Sequence, residues 1–265
     1  MIATLPMYDL PALQSATDAW WQGLARHMRA AGIEQVPVEL ARERGPAWSD
    51  GDLLFSQTCG YPLTHALAGI VEPVCTPVYA ARGCSGGRYS SALVVADDAA
   101  ATTLADLRGG VAACNGRDSH SGYNVLRRMV AEHAGGERFF AEVLETGAHV
   151  ASLRAVAERR ADVCAVDAVT HSLCAHWEPE RLAGTRVLAF SPAAPALPYV
   201  AGRGVTAAVR ERMRAAVHAA AADPALAATR AALQIVDVCD LPRAAYDEIP
   251  AMEREAQRLG YPELQ

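Results

Sequence analysis

The sequence predicts an α/β protein with mostly parallel sheets. Short apolar runs alternate with amphipathic segments along the chain of 265 residues, which is the pattern of strands connected by helices. Apolar residues make up 51% of the chain, enough for one large domain or two modest lobes. Polar turns follow predicted strands near Tyr8, Gln57, Ser119 and Asp167. Because ligands in open α/β sheets bind at the carboxyl ends of strands, we expect a binding site among these turns.

The elements of the first half follow from local patterns. Leu13, Trp20, Leu24 and Met28 recur at helical spacing and Gly32 follows them, which predicts a helix over residues 13–31. The other predicted elements are a strand at 2–5, an extended segment at 35–40, a strand at 52–56, a short helix at 63–68, an extended segment at 71–79, a flexible Gly-rich turn at 83–88 and a strand at 89–95.

The second half shows two clear strand patterns. An apolar run at 110–114 precedes a polar turn and a helical pattern at 125–133, and a second apolar run at 161–166 ends at Asp167. The remaining predictions are a helical turn at 104–110, helices at 137–144, 150–157 and 168–176, a strand at 185–190, a stiff Pro-rich crossing at 192–198, a strand at 199–202, and helices at 206–222, 224–233 and 246–259.

The charge and the basic residues exclude several classes of function. The net charge is -6, which gives no electrostatic support for binding nucleic acid. The chain has no lysine, so its basic side chains are all arginine. This excludes a Schiff-base lysine and the lysine of a Walker-type phosphate loop.

The cysteines and histidines predict no metal site and no cofactor. The seven cysteines form no CxxC pair, no Cys/His cluster has zinc spacing, and no HExxH occurs. Most of the cysteines are expected to be small buried apolar residues. Cys59, Cys75 and Cys84 lie in loop-like stretches, and the sequence leaves a single bridge among them open.

The N-terminal segment predicts where the chain is found. It has neither a basic start nor a long apolar stretch, so it does not have the pattern of a secretory signal. No apolar run is long enough to cross a membrane. As written, the sequence predicts a cytoplasmic protein without membrane insertion, or a periplasmic or lipid-anchored one if a leader has been removed.

The turn Asn115-Gly116-Arg117-Asp118-Ser119-His120-Ser121-Gly122-Tyr123-Asn124 is the centre of the sequence. It lies between a predicted strand and a predicted helix, where the first amides have no intrahelical partner and carry the positive end of the dipole. The hydroxyls of Ser119 and Ser121 either cap those amides or donate, with them, to a bound oxyanion. On this stretch alone the ordinary N-cap is the simpler interpretation.

Three further residues have two interpretations each. Tyr89 follows a Gly-rich turn and is either a ligand contact or a half-buried strand tyrosine. His149 stands at a helix start and is either an anion donor or a surface cap. Asp167 is either the cap of the next helix or a functional carboxylate that selects a protonated oxyanion or an amine. A Ser119–His149–Asp167 triad cannot be judged from chain order, and the GxSxG pattern of a serine nucleophile is absent.

Several motifs together resemble the phosphate/phosphite/phosphonate-binding proteins of ABC transporters. They occur in one order between about Leu53 and Tyr199, and five in register are more specific than one. The motifs are Ser56-Gln57-Thr58-Cys59-Gly60-Tyr61-Pro62, Gly83-Cys84-Ser85-Gly86-Gly87-Arg88-Tyr89-Ser90-Ser91, Ser119-His120-Ser121-Gly122-Tyr123, Thr146-Gly147-Ala148-His149 and Ala161-Asp162-Val163-Cys164-Ala165-Val166-Asp167.

The resemblance implies a two-lobed type II periplasmic-binding-protein fold that closes on its ligand by hinge motion. Lobe I would contain residues 1–88 and 199–265, and lobe II residues 89–198. The hinge would lie near 89–95 and 192–199. The function implied is that of a solute-binding protein that holds a small phosphate-, phosphite- or phosphonate-type oxyanion in the interlobe cleft, with an ABC permease as a further partner.

The resemblance also implies a set of ligand-binding residues. The Ser-x-Ser-Gly turn carries over to Ser119, His120 and Ser121. The family's tyrosine after the Gly-rich turn carries over to Tyr89, the histidine of its Gly-x-His motif to His149, and the acidic position after its strand to Asp167. Three residues would face the ligand from the other lobe: Tyr8, Gln57 and Thr58. His120 stands where a small hydroxyl residue is common in phosphonate binders, which leaves the exact anion open.

Two alternatives belong to other classes of function. The first is a cytoplasmic enzyme on the same fold, like those of thiamine-pyrimidine and menaquinone synthesis, with Asp167 and His149 as acid and base. The absence of a leader favours this enzyme, and the absence of a nucleophile or metal motif disfavours it. The second is a sensor that uses the same clamp to report a ligand.

Overall fold

The computed structural model describes residues Met1–Gln265, which form thirteen strands and eight α-helices. The strands are β1 (Ile2–Ala3), β2 (Leu53–Gln57), β3 (Val71–Tyr79), β4 (Cys84–Ser85), β5 (Arg88–Tyr89), β6 (Ser91–Ala96), β7 (Val111–Cys114), β8 (Glu142–Glu145), β9 (Val163–Asp167), β10 (Thr185–Phe190), β11 (Ala194–Pro195), β12 (Tyr199–Gly202) and β13 (Ile235–Cys239). The helices are α1 (Gln14–Ala30), α2 (Gly60–Thr64), α3 (Val125–Ala134), α4 (His149–Ala157), α5 (Ala168–Trp177), α6 (Ala207–Ala222), α7 (Ala227–Ala232) and α8 (Glu248–Arg258).

The chain divides into two compact units. Unit 1 contains Met1–Ala80, Ser85–Arg88 and Pro195–Tyr246, and unit 2 contains Ala81–Cys84, Tyr89–Ala194 and Asp247–Gln265. The segment Asp247–Gln265 therefore belongs to unit 2, whereas the resemblance placed it in the first lobe. The reason is its packing: α8 lies against α3, and Ala256, Tyr261 and Leu264 are buried in the apolar core of unit 2.

Unit 1 is a sheet of five strands in the order β1-β2-β12-β3-β13, with α1 and α6 packed on it and on each other. The predicted apolar face of α1 is buried through Trp20, Leu24 and Met28. The indole Nε1 of Trp20 donates a hydrogen bond of 2.8 Å to the hydroxyl of Tyr199 on β12. The buried polar end of the tryptophan is thereby satisfied, as burial requires.

Unit 2 is built around strand β6, which is buried along its whole length. Its sheet has the order β10-β6-β9-β7-β8. Leu93 and Val95 point into one apolar cluster, which includes residues of α3, and Ala92 and Val94 into a second cluster, which includes residues of α4. Because successive side chains of a strand point to opposite faces, this alternation shows that both faces of the sheet are covered.

The α/β class is confirmed, but the prediction of mostly parallel sheets is wrong in detail. β1–β2, β7–β8 and β7–β9 are parallel, whereas β2–β12, β3–β12, β3–β13, β6–β9 and β6–β10 are antiparallel. The reason is the path that the chain takes between the two units. β6 and β12 enter their sheets from segments that cross over from the other unit, without the intervening helix that makes consecutive strands parallel.

Three local predictions also differ from the structure. Residues 35–40 form no strand, the predicted helix at 137–144 is replaced by β8, and β13 was not predicted. In β8, Val143 pairs with Ala112 of β7, so sheet pairing overrides the helix propensity of a short segment. In β13 the exposed Val236 and Asp237 weaken the alternation that would mark a half-buried strand.

All seven cysteines are free thiols in the structure. No group of three or more His, Cys, Asp or Glu side chains is arranged to hold a metal ion. Among the helices, none combines the length and the apolar character that a membrane crossing needs.

The double-sided burial of β6 predicts that its side chains carry much of the stability of unit 2. We expect Val94→Ala to lower the free energy of unfolding by about 2 kcal/mol, because it removes two buried methyl groups and leaves a cavity. Urea unfolding followed by circular dichroism measures this. The matched control is Val236→Ala on β13, whose side chain is 58% exposed and should change stability by less than about 0.5 kcal/mol. Equal losses in the two variants would contradict this account.

Candidate functional site

Three parallel strands of unit 2 place three of the expected site segments at one edge of its sheet. β7 pairs with both β8 and β9 in parallel, so the carboxyl ends of all three lie side by side. The Ser119–Ser121 turn follows β7, His149 follows β8, and Asp167 is the last residue of β9. β6 runs antiparallel to β9, with Ser91 opposite Asp167, and therefore begins at the same edge just after Tyr89.

The turn after β7 is a single π-helical turn, His120–Asn124, that leads into α3. The amide of Asn124 donates to the carbonyl of Ser119 over 3.0 Å, which is the i to i−5 pairing of a π-turn. Ser119 is the N-cap, because its hydroxyl oxygen accepts a hydrogen bond of 3.0 Å from the amide of Gly122. Such turns are frequent at functional sites, and here every residue from 119 to 124 is buried.

Gly122 is required by the close approach of Asn115 to this turn. A Cβ atom at position 122 would lie 1.8 Å from Asn115 Oδ1, far inside van der Waals contact. The Gly of the Ser-x-Ser-Gly pattern therefore has a steric role in this chain. It lets the polar side chain at the end of β7 fold back over the turn.

Ser121 and His149 meet across two neighbouring turns. The hydroxyl oxygen of Ser121 lies 2.9 Å from His149 Nε2, where either group is the donor. His149 is the first residue of α4, and the turn before it is fixed by Thr146, whose hydroxyl donates to the carbonyl of Cys114 over 3.0 Å. The parallel register of Cys114 with Glu145 is what brings these two turns together.

Tyr89 and Asp167 complete this edge of the sheet. Tyr89 is 2% exposed, and its ring lies 6.2 Å from that of His120 at 59°. Asp167 Oδ1 accepts hydrogen bonds from the amides of Val169 at 2.8 Å and Thr170 at 3.2 Å, so it caps α5. The cap interpretation of Asp167 is confirmed, and a ligand role for its carboxylate stays a prediction.

The two histidines of the site are neutral near pH 7. Burial lowers the pKa of His120 from 6.5 to about 4. Burial also lowers the pKa of His149 to about 4, and the nearby backbone of Ala165 acts in the opposite direction. Neutral imidazoles offer one donor and one acceptor each, so the site depends on hydrogen bonding and the helix start rather than on a histidine charge.

The other three predicted residues belong to unit 1. Gln57 Nε2 donates to the Tyr79 hydroxyl at 3.2 Å and to the Leu197 carbonyl at 3.1 Å. Tyr8 has a φ of 64° and packs edge-on against Tyr79, with ring centroids 5.2 Å apart. A positive φ is unusual for a tyrosine and is often found at ligand sites. Gln57 and Tyr8 line one small cavity of about 20 Å³ in this unit.

Thr58 follows Gln57 at the end of β2 and is also buried. Its amide donates to the carbonyl of Pro198 over 3.2 Å, and its hydroxyl contacts the carbonyl of the next residue, Cys59, at 3.3 Å. The structure thus places six of the nine predicted residues in unit 2 and three in unit 1. Their roles toward a ligand stay predictions.

Sequence reasoning missed Asn115, Asn124 and Arg127. Asn124 contacts His120 and Arg127 contacts Asn124, so both support the turn from behind. The sequence spacing could have indicated Asn124 and Arg127. Asn124 and Arg127 lie four and seven residues after His120, the spacing that puts side chains on one face of a helix.

Comparison with known proteins gives a consistent family and fold. Residues 5–242 match the family described as the periplasmic substrate-binding protein of phosphonate ABC transporters. None of the curated proteins matches the chain in sequence.

Three solved structures illustrate the similarity of fold. A binding-protein component of an ABC phosphonate transporter from Pseudomonas aeruginosa is 18% identical, with a TM-score of 0.77 over 98% of this chain and 87% of its own. PhnD1 from Prochlorococcus marinus, in complex with methylphosphonate, is 12% identical, with a TM-score of 0.73 over 97% of each chain. XAC2383 from Xanthomonas citri, bound to ATP, is 17% identical, with a TM-score of 0.71 over 98% and 97%. At these identities the similarity shows the two-lobed fold.

The close approach of Asn115 to Gly122 predicts a steric cost for any larger residue. We expect Gly122→Ala to lower the free energy of unfolding by about 1–3 kcal/mol, because the added methyl group meets Asn115 Oδ1. Chemical denaturation measures the loss. The control is Gly51→Ala, where a Cβ atom meets nothing within 4 Å. In an Asn115→Ala background the same Gly122→Ala change should cost clearly less, and an equal cost would contradict the steric explanation.

The buried neutral histidines predict that unit 2 loses stability in mild acid. In the unfolded chain both imidazoles bind a proton near pH 6.5, whereas the folded pKa values are about 4. The unfolded state therefore binds more protons between these limits, and stability falls as the pH falls. Each histidine should contribute a loss of roughly 2 kcal/mol between about pH 7 and about pH 5.

Urea unfolding at the two pH values measures this loss in matched variants. His149→Gln should reduce the loss by roughly 2 kcal/mol relative to the wild type. His133→Gln, at an exposed position on α3, should leave it unchanged. A His149→Gln variant with the full pH dependence of the wild type would show that the imidazole is not held neutral in the fold.

Proposed function

Because the chain belongs to the family of periplasmic substrate-binding proteins of phosphonate ABC transporters, we propose that it binds a small phosphonate- or phosphate-like oxyanion at the Ser119–Ser121 turn of unit 2. One observation carries the proposal. The turn is a buried helix start with two serine hydroxyls, and it lies at the sheet edge that also carries Tyr89, His149 and Asp167. A helix start of this kind is a preformed anion site.

The donors of the turn suit a tetrahedral oxyanion. Amides at a helix start point along the axis without intrahelical partners, and the positive end of the dipole lies there. The hydroxyl oxygen of Ser119 accepts a hydrogen bond from the Gly122 amide, so its hydroxyl proton can be donated to a ligand oxygen. Ser121 is oriented by His149, which as a neutral donor would leave the Ser121 proton free for a second ligand oxygen. Binding of this type needs no covalent step.

A transport role gives the wider setting of the proposal. In the family the binding protein is periplasmic, so we place this chain in the periplasm, with an ABC permease as the partner that receives the ligand. The Prochlorococcus neighbour holds methylphosphonate, which makes this compound the first probe to use. The contributions of Tyr8, Gln57 and Thr58 follow from the family resemblance and are to be tested one at a time.

The proposal predicts that an oxyanion stabilises the protein through the two serines. At a methylphosphonate or phosphate concentration near 100 times Kd, we expect about 2.7 kcal/mol of stabilisation and a rise in Tm of several degrees. The double change Ser119→Ala and Ser121→Ala should abolish this rise, because both hydroxyl donors are lost. Differential scanning fluorimetry measures the shift, and isothermal titration calorimetry gives Kd.

The control is the double change Ser15→Ala and Ser49→Ala, at two exposed serines of unit 1. It should keep the full shift. A wild-type protein that shows no shift with methylphosphonate, phosphate, phosphite or sulfate would refute the proposed function. A shift that survives in the Ser119/Ser121 variant would leave the function standing and place the site elsewhere.

A further inference from the structure

A series of buried polar contacts connects the Ser119–Ser121 turn with the C-terminal segment Asp247–Gln265. His120, Asn124 and Arg127 lie on one face of the π-turn and α3, and all three are at most 3% exposed. Asn124 Nδ2 lies 3.1 Å from His120 Nδ1, and Arg127 Nη2 donates to Asn124 Oδ1 over 2.6 Å. Because none of the three side chains faces water, each hydrogen bond constrains the next.

The orientation of the Asn124 amide is fixed from two sides. The guanidinium of Arg127 is always protonated and only donates, so the atom of Asn124 that faces it is the oxygen. The other end of the amide faces the carbonyl of Ile249 at 3.1 Å, which only accepts, so that end is the nitrogen. A flipped amide would set donor against donor and acceptor against acceptor at both contacts.

This orientation determines which nitrogen of His120 carries the proton. The Asn124 nitrogen only donates, so His120 Nδ1 is the acceptor and bears no hydrogen. We infer that Asn124 is a positioning residue that holds His120 as the neutral tautomer protonated at Nε2. The burial that lowers the pKa of His120 to about 4 keeps the second proton off at neutral pH. The single N–H of the ring is therefore fixed at Nε2.

The C-terminal segment Asp247–Gln265 is what anchors this arrangement. Arg127 Nη1 donates to the carbonyl of Pro262 over 2.8 Å, and its Nη2 lies 3.2 Å from Glu253 Oε1. Ile249 belongs to the same segment. The packing of this segment on unit 2 thus fixes a proton in the turn that leads into the same, N-terminal end of α3.

The consequence for binding rests on the proposed function. His120 stands between Ser119 and Ser121 in the chain and is one of the residues assigned to the proposed site, where a neutral ring protonated at Nε2 favours a deprotonated ligand oxygen over a donor group. The tautomer protonated at Nδ1 would present a lone pair there instead and would oppose an oxyanion. Asn124 thereby helps the site to select oxyanions without adding a charge to it.

The tautomer is measured directly by long-range ¹H–¹⁵N correlation spectra of the histidine rings in the ligand-free protein. The His120 signals, assigned with a His120→Gln variant, should show a protonated Nε2 and an unprotonated Nδ1. Asn124→Asp replaces the amide donor by a carboxylate acceptor of nearly the same shape, so Nδ1 should become protonated. The exposed His133 ring serves as the internal reference, and its signals should not change.

Two arginine variants on α3 test the anchor. Arg127→Gln removes the contact that holds Asn124 Oδ1 and leaves only the Ile249 carbonyl to orient the amide, so a second His120 tautomer should appear beside the first. Arg128→Gln is the matched control: Arg128 also faces the C-terminal helix, 3.8 Å from Glu255, and has no hydrogen bond to Asn124, so this change should leave the tautomer as in the wild type.

The effect on binding is tested by measuring the Kd for methylphosphonate by calorimetry. Asn124→Asp should weaken binding about tenfold or more, and Arg128→Gln should leave it within about twofold. A wild-type His120 protonated at Nδ1 overturns the inference, as does an Asn124→Asp variant with an unchanged tautomer. The spectra are recorded without ligand and therefore test the tautomer independently of binding. If the wild type does not bind methylphosphonate, the proposed function is refuted, and the spectra alone decide the tautomer.

Discussion

The parallel pairing of β8, β7 and β9 is the constraint on which the candidate site depends. It brings three carboxyl ends to one edge of the sheet in unit 2, where β9 leads directly into α5 and a short turn connects β7 and β8 to the helix starts that follow them. The helix starts after β7 and β8 carry amides without intrahelical partners, whereas the Val169 and Thr170 amides of α5 donate to Asp167, so donors from two separate stretches of sequence gather at one edge. The antiparallel β6 adds Tyr89 because its first residues lie at that same edge.

Burial gives this edge its chemical character. His120 and His149 are both kept neutral because the cost of charging a buried imidazole lowers its pKa. Every donor of the proposed anion site is therefore either an uncharged side chain or a backbone amide. In the proposed site the positive end of the helix dipole would supply the attraction, and the hydroxyls and ring nitrogens would supply the direction. Such a site recognises the geometry of an oxyanion more than its total charge.

The buried polar contacts connect the binding turn with distant parts of the chain. Asn124 and Arg127 join the turn to the segment Asp247–Gln265, which completes unit 2 after the chain has passed through unit 1. Tyr123 contributes as well, because its hydroxyl accepts a hydrogen bond from the amide of Leu264 at 3.1 Å. The last residues of the chain are therefore part of the support of the site.

The sequence by itself determined the α/β class, most of the helices, and the motifs from which the family was identified. These features are local: the apolar period marks a helix, and the turn chemistry of residues 115–124 marks a helix start. The tertiary structure alone decided strand direction, the identity of β8, the unit to which Asp247–Gln265 belongs, and the roles of Asn124 and Arg127. Strand direction depends on how the chain crosses between units, and the fixed proton of His120 depends on carbonyls more than 120 residues away. Periodicity carries no information about such distant partners, because it records only which face of an element is buried.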